Sequence, residues 1–265
     1  MNTDMKKYLM MSLVALVAMT MTSCMHVKIN GNDWKSFTGG HKNDTPTQVH
    51  QLEVETTMSP FDDVNVSGPF NVIYEQGKGN TVRVDGTTEQ LEKMTIYVKD
   101  GDLYIDQRKN EPSGTFDGMR IFVSSATING IDIVGSATFT APKPITAAEM
   151  AIEVAGSGEV TLAQMTCTDL NIEIAGSGNV TTGPMQANRV KNEIAGSGDI
   201  DITGLTCKNV NNEIAGSGDI NLSGLNVEHV KSEIAGSGNI TLRGKVGSHK
   251  EDIAGSGKVD TSGIE

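Results

Sequence analysis

The C-terminal half of the chain repeats one apolar and polar pattern every 20 residues. The motif Glu-Val-Ala-Gly-Ser-Gly at 153–158 recurs four times at that spacing, with minor changes, and a last copy at 252–257 arrives one residue early. A degraded copy at 132–136 precedes the first. Self-similarity at a fixed period of this length is typical of a solenoid.

Apolar and polar residues alternate within each repeat, which predicts strands rather than helices. The apolar positions after the glutamate are separated by even numbers, so they share one face of a strand. The first of these columns consists of Val154, Ile174, Ile194, Ile214, Ile234 and Ile253. We therefore expect an all-β fold, a parallel β-helix with coils of about 20 residues, whose backbone bonds run between coils about 4.8 Å apart. Residues 131–265 form this regular solenoid.

Two other repeat classes and a phosphate loop do not fit the pattern. Leucine-rich repeats share the length but need a Leu-x-x-Leu-x-Leu-x-x-Asn pattern, and calcium-binding nonapeptide repeats have a period of nine. The Gly-Ser-Gly of each coil leads into a strand residue rather than a helix, so it does not cradle phosphate. We expect these glycines to lie where a Cβ would collide with the facing sheet or where the chain must bend.

Two of the three cysteines occupy the same repeat position, two coils apart. Stacking would separate Cys167 from Cys207 by about twice 4.8 Å. A disulfide allows no more than about 7 Å between Cα atoms. Both are therefore predicted to be buried free thiols.

Residues 51–130 have strand-like alternation without the 20-residue period. Asp100-Gly101 lies between two alternating runs and predicts a hairpin. A single helical turn is expected over 89–94. All phenylalanines and tyrosines after the first 36 residues fall between 37 and 139. This aromatic section is expected to cap one end of the apolar stack.

The N-terminal residues are predicted to be a targeting segment rather than part of the fold. Lys6 and Lys7 precede an apolar run that is too short for a membrane span, and the run ends in Met-Thr-Ser at 21–23, before Cys24. This resembles a bacterial lipobox, which implies a signal peptide at 1–23 and acylation of Cys24. Residues 24–50 are polar and without period, typical of a flexible tether. The membrane is thus an expected partner through the lipid.

Three segments together resemble a known family. Phe-Asp-Asp-Val-Asn-Val-Ser-Gly-Pro-Phe-Asn-Val at 61–72, Gly-Asp-Leu-Tyr-Ile at 101–105 and the repeated Gly-Ser-Gly followed by a branched aliphatic are similar to the DUF2807 family. That family is also called the putative auto-transporter adhesin head GIN domain and is common in Bacteroidetes lipoproteins. The resemblance spans roughly residues 58–260. It implies a right-handed parallel β-helix and supplies no catalytic residues.

Charge excludes one class of partner. The formal net charge is −12, and binding nucleic acid needs a basic face, so we expect no nucleic-acid partner. An outward acidic column recurs once per coil and could recruit Ca²⁺ or a cationic partner. We call it the glutamate column: Glu153, Glu173, Glu193, Glu213 and Glu233. Nearby positions add Asp199 and Asp219. Solvated carboxylates that keep the rod soluble are the favoured interpretation, and no cofactor or fixed metal site is expected.

These features favour a non-catalytic outer-membrane lipoprotein, a rod that binds or adheres to an unknown protein or glycan. The alternative of a polysaccharide-active β-helix enzyme lacks support, since the solenoid has only His229 and His249, no Phe, Tyr or Trp after residue 139 and no long inserted loops. Self-assembly, including a homodimer through unpaired solenoid ends, is a third hypothesis. Residues 25–30 lack the acidic cluster that favours surface export, so the periplasmic face is slightly favoured.

Overall fold

The structure is a computed structural model that describes residues 51–108, 111–112 and 114–265. The predicted signal peptide, Cys24 and the tether lie outside these residues. Within them 70% of the residues are in strands and 2% in helix, with a solenoid of about seven turns in the C-terminal region. The prediction of an all-β parallel β-helix is confirmed.

The N-terminal section contains seven strands and one short helix. Their bounds are β1 (Gln51–Thr57), β2 (Asp63–Ser67), β3 (Asn71–Gln76), β4 (Thr81–Thr87), α1 (Thr88–Glu92), β5 (Met94–Lys99), β6 (Asp102–Gln107) and β7 (Arg120–Ser125). The helix is a single turn near the expected place. It begins with a capping box in which Thr87 and Gln90 bond reciprocally through side chain and backbone.

The regular solenoid starts with the next strand. Its bounds are β8 (Gly130–Gly135), β9 (Thr138–Ala141), β10 (Ile145–Thr146), β11 (Glu149–Gly156), β12 (Glu159–Leu162), β13 (Met165–Thr166), β14 (Asp169–Gly176), β15 (Asn179–Thr182), β16 (Met185–Gln186), β17 (Arg189–Gly196), β18 (Asp199–Thr203), β19 (Leu205–Gly216), β20 (Asp219–Gly236), β21 (Asn239–Gly255) and β22 (Lys258–Ile264). Each coil has a long side such as β11, a second side such as β12 and a short side such as β13. In the later coils the short and long sides run together as one strand.

Parallel pairing at a 20-residue offset holds the coils together. Val154 pairs with Ile174, Ile174 with Ile194 and Ile194 with Ile214, so the predicted apolar column is a stack of neighbours in register. These side chains are almost completely buried. Burying one aliphatic side chain of this size contributes about 1.5–3 kcal/mol, which makes the repeated column a main source of stability.

The glycine corners are crowded by the preceding coil rather than by the facing sheet. Gly216 has φ +147°, a conformation that side chains rarely adopt, and a Cβ there would overlap the carbonyl oxygen of Gly196. Glycine is thus required both by backbone conformation and by the close stacking of corner on corner. An added Cβ would therefore collide with the corner of the preceding coil and not, as expected, with the facing sheet, because the corners stack directly above one another.

The coil that comes first in the sequence is stacked between two coils that come later in the sequence. On the long side β2 pairs in parallel with both β6 and β8, and on the second side β3 pairs with both β7 and β9. Residues 51–130 thus extend the solenoid by two coils, stacked out of sequence order. Antiparallel strands then end the stack: β5 pairs with β6, β4 with β7 and β1 with β4. These antiparallel strands cover the edge of the parallel stack, which limits further strand pairing there.

The hairpin between β5 and β6 confirms the Asp-Gly prediction. Asp100 has φ +57° and Gly101 has φ +100°. Positive φ at both central residues is the geometry of a type I′ turn, which matches the twist of the flanking strands. The turn places Tyr97 beside Tyr104, whose rings stack with centroids 5.0 Å apart.

Cys167 and Cys207 are buried and free, as predicted. Burial raises the pKa of the Cys167 thiol to about 11. The Cys207 thiol contacts the carbonyl oxygens of Asn188 and Asn209, at 3.2 and 3.1 Å. Both groups are inert packing elements near neutral pH.

Candidate binding groove

The glutamate column runs in register along the outside of the long side. Glu153 pairs with Glu173, Glu173 with Glu193, Glu193 with Glu213 and Glu213 with Glu233. Asp132 and Asp252 extend the column at its two ends. The predicted alignment of the five glutamates is therefore present, with carboxylates on successive coils.

Lysines on the same strands accompany part of this column. The Lys191 ammonium lies 2.7 Å from Glu193, and the Lys231 ammonium lies 2.6 Å from Glu233. The hydrogen bond to Glu193 raises the pKa of Lys191, and Glu213 and Glu173 add to the effect. Repulsion between stacked carboxylates is thus partly offset on alternate coils.

Asp199 and Asp219 lie elsewhere, on the second side, and contact the next coil. The Asp219 backbone N–H donates to Asp199 Oδ1 at 3.0 Å, and the Asn239 backbone N–H donates to Asp219 Oδ1 at 2.9 Å. These carboxylates therefore join coils together, and the structure does not bring them to the glutamate column. In the described parts of the chain no group of three or more His, Cys, Asp or Glu side chains is arranged to hold a metal ion.

A groove of about 1210 Å³ runs along the start of the long side, next to the glutamate column. Buried apolar residues such as Val190, Val210 and Val230 contribute to its floor. Its two walls are columns of outward residues one position before and one after the floor. The first wall consists of Glu149, Asp169, Arg189, Asn209, His229 and Ser248, and the second of Ala151, Asn171, Lys191, Asn211, Lys231 and Lys250.

The groove changes charge along its length. Its N-terminal half carries Asp63, Glu149 and Asp169, whereas the cations lie in the later coils. Arg189 bridges the two halves, because its guanidinium donates twice to Asp169, at 2.6 and 2.5 Å. A bidentate pair of this kind fixes the side chain of an arginine in a set direction.

Two asparagines in the second wall have unused acceptors. The Oδ1 atoms of Asn171 and Asn211 are buried and find no hydrogen-bond donor among the described residues. Buried polar atoms normally have a partner, since leaving one unpaired costs about 1–3 kcal/mol. Neither oxygen is open to the groove, because both atoms are shielded from solvent.

Acidic side chains crowd the N-terminal end of the groove. Burial, together with the nearby carboxylates of Asp62, Asp102 and Asp132, raises the pKa of Asp63 to about 6. Gly130, next to Asp63 in the sheet, leaves room for its carboxylate, because a Cβ there would contact Asp63 Oδ1. This end of the groove therefore favours cations or protons over anions.

Two serine–histidine contacts lie at the C-terminal end. His229 Nδ1 is 2.8 Å from Ser248 Oγ, and His249 Nε2 is 3.2 Å from Ser232 Oγ. Within the described residues neither imidazole is hydrogen-bonded to a carboxylate, which would orient the base of a nucleophilic triad. The contacts therefore link coils without forming a complete catalytic arrangement.

Sequence reasoning missed the groove and one interior column. The column consists of Ile152, Ile172, Asn192, Asn212 and Ser232. Inside it, Asn192 Nδ2 donates to Asn212 Oδ1 at 2.8 Å, with both side chains fully buried. The change from isoleucine to asparagine at one repeat position was the available signal.

Solved structures share this architecture. A putative adhesin from Bacteroides fragilis superposes with a TM-score of 0.72 at 22% identity, covering 79% of this chain and 96% of that one. A putative adhesin from Parabacteroides distasonis gives 0.67 at 24% identity, with the same coverages of 79% and 96%. A putative lipid binding protein from the same species gives 0.61 at 22% identity, again covering 79% and 96%. At these identities the likeness establishes the fold.

The remaining comparisons concern family and membrane. No curated protein matches the chain. Across the described residues no helix is long and apolar enough to cross a bilayer. The family model described as putative auto-transporter adhesin, head GIN domain, matches residues 60–223 and 211–265. The family name suggests a non-catalytic, envelope-associated, adhesin-like role. The chain, with its parallel coils and repeated Gly-Ser-Gly corners, belongs to the DUF2807 family.

Proposed function

We propose that this protein is a non-catalytic binding rod of the cell envelope that holds an extended polymer in the groove of its long side. The observation that carries the proposal is the continuity of the groove. From the coil of Glu149 to that of Ser248 it spans five coil steps, or about 24 Å. A groove of that length suits a chain lying along the axis better than a compact small molecule.

The rest of the molecule supports a binding role. The walls come from strands locked by parallel pairing, so the polar side chains are presented in fixed rows with little ordering cost on binding. Sites built on such rigid elements are also well pre-organised. The adhesin name of the family agrees with a rod that presents a surface rather than a reaction centre.

Attachment to the membrane is part of the same proposal. The lipobox-like sequence before Cys24 supports lipidation, and the polar tether of 24–50 gives the rod reach from the outer membrane. The periplasmic face remains slightly favoured, and pairing of two rods through their ends remains a hypothesis.

Filling the groove should abolish binding. Asn211→Trp places an indole in the second wall at mid-groove, whereas Asn226→Trp places the same ring on the exposed short side. We expect the wild type and Asn226→Trp to bind at least one polymer equally in a panel of hyaluronan, polygalacturonate, xylan and polyglutamate. Asn211→Trp should weaken that binding at least about tenfold through steric exclusion.

Biolayer interferometry on immobilised full-length protein measures these affinities, and circular dichroism checks that all variants are folded. Equal binding by Asn211→Trp and the wild type would contradict the proposal, as would a folded wild type that binds none of the four polymers.

A further inference from the structure

We propose that the C-terminal half of the groove recognises a uronic-acid polysaccharide, a glycan with one carboxylate per disaccharide. This inference rests on the proposed function, because it names the class of polymer that the groove holds. It follows from three properties of the lining: the sign of its charge, the spacing of its cations and its lack of Phe, Tyr and Trp side chains.

The lining of this half is cationic. Arg189, Lys191, Lys231 and Lys250 stand in its two walls, and the other wall residues of these coils are neutral or histidine. The acidic residues of the groove, Glu149 and Asp169, belong to the first half. Arg189, Lys191 and Lys231 already pair with carboxylates. An anionic chain is therefore repelled less by the later coils than by the earlier ones, where Glu149 and Asp63 stand in the lining.

The cations are widely and regularly spaced. Lys191 and Lys231 occupy one column two coils apart, which separates them by about 10 Å along the axis. That distance is comparable to one disaccharide of an extended β-linked glycan. Each ammonium has three donors, and each donates one of them to its neighbouring glutamate. The remaining donors can reach a carboxylate of the ligand at every second sugar.

Asn211 lies between these lysines in the same wall. Its side chain is neutral, so it places no further charge between the two ammonium groups. The alternation of lysine, asparagine and lysine thus matches an alternation of carboxylate and neutral sugar along the chain.

Two other classes of polymer fit less well. A nucleic-acid strand carries a charge about every 3.4 Å, and its extra phosphates would face the glutamate column beside the groove. Neutral glycans are commonly held by stacking on aromatic side chains, and none of the residues that line this groove is Phe, Tyr or Trp. Among these polymers, one with widely spaced negative charges therefore fits the lining best.

The test uses hyaluronan decasaccharides, which carry one carboxylate per disaccharide, and the same oligosaccharides with the carboxyls converted to methyl esters. The full-length wild type is compared with Lys191→Gln/Lys231→Gln and with the control Lys245→Gln/Lys258→Gln, whose lysines are exposed outside the groove. Isothermal titration calorimetry gives the dissociation constants at low salt.

We expect the groove double variant to lose affinity for the acid form at least about tenfold and the control to bind like the wild type. The methyl ester should bind the wild type as weakly as the acid form binds the groove double variant. Equal affinities of the wild type for acid and ester, or of the groove double variant and the wild type for the acid, would overturn the inference.

A different result would contradict the proposed function. If Asn211→Trp binds the polymer as the wild type does, the groove itself is not the binding surface. If Asn211→Trp loses binding while both lysine variants retain it, the groove binds a polymer but does not recognise its carboxylates.

Discussion

Replacing Gly216 with alanine is expected to lower the free energy of unfolding by about 3–5 kcal/mol. Two costs combine. The backbone at Gly216 has φ +147°, which an alanine adopts only with strain, and the new Cβ would overlap the carbonyl oxygen of Gly196 in the preceding coil. That oxygen belongs to backbone held by parallel pairing, so it cannot move without disturbing both coils.

The guanidinium unfolding midpoint of the purified protein measures this effect. Gly79→Ala is the matched control, because its φ is ordinary and the nearest atom to an added Cβ is Thr81 Cγ2 at 3.8 Å. We expect that control to change the free energy of unfolding by no more than about 0.5 kcal/mol. A Gly216→Ala protein as stable as Gly79→Ala would contradict the stacked-corner account.

Asn212→Asp should destabilise the solenoid by at least about 3 kcal/mol at pH 7 and much less in acid. Asn212 is 0% exposed, and an ionised carboxylate in its place would be buried beside Asn192 with no cation among the described interior residues. Burial raises the folded-state pKa of such an aspartate above its unfolded value of about 3.9. The penalty therefore grows as the pH rises from the unfolded pKa to the folded one and is constant above that.

Thermal unfolding of the variant and the wild type at pH 4 and pH 7 measures the difference. Asn226→Asp, on the exposed short side, is the control and should follow the wild type at both values. A pH-independent difference for Asn212→Asp would mean that the side chain is hydrated in the folded protein.

The coils could be predicted from the sequence because each one buries apolar side chains at the same repeat positions. Val154 and Ile174 stand at equal positions of successive repeats, and only parallel stacking in register buries both. Asp100-Gly101 was equally informative, since few residue pairs accept positive φ at both positions of a tight turn.

The order of the N-terminal coils could not be predicted in the same way. Val64-Asn65-Val66, Leu103-Tyr104-Ile105 and Ile131-Asp132-Ile133 share one apolar, polar, apolar pattern. Any stacking order of these three strands buries the same kind of side chain, so periodicity does not choose among them. The choice depends on long-range packing and on the connections between the strands.

The candidate site was predictable only in part. The alignment of the glutamate column follows from the period, but an outward aspartate has the same pattern whether it is solvated or, like Asp199, accepts a hydrogen bond from the next coil. A pattern of alternation places side chains inward or outward, but it does not specify which outward columns border a groove. Its lysines and asparagines therefore had no visible role in the sequence.

Chemical footprinting of the lysines tests the central claim, that the groove of the long side is the binding surface, most directly. Full-length protein is acetylated briefly with and without saturating hyaluronan decasaccharide, and mass spectrometry measures modification at each lysine. We predict protection of Lys191, Lys231 and Lys250, which line the groove, and unchanged modification of Lys245 and Lys258 outside it. Equal modification of the groove lysines with and without the bound glycan, or protection confined to Lys245 and Lys258, would contradict the claim.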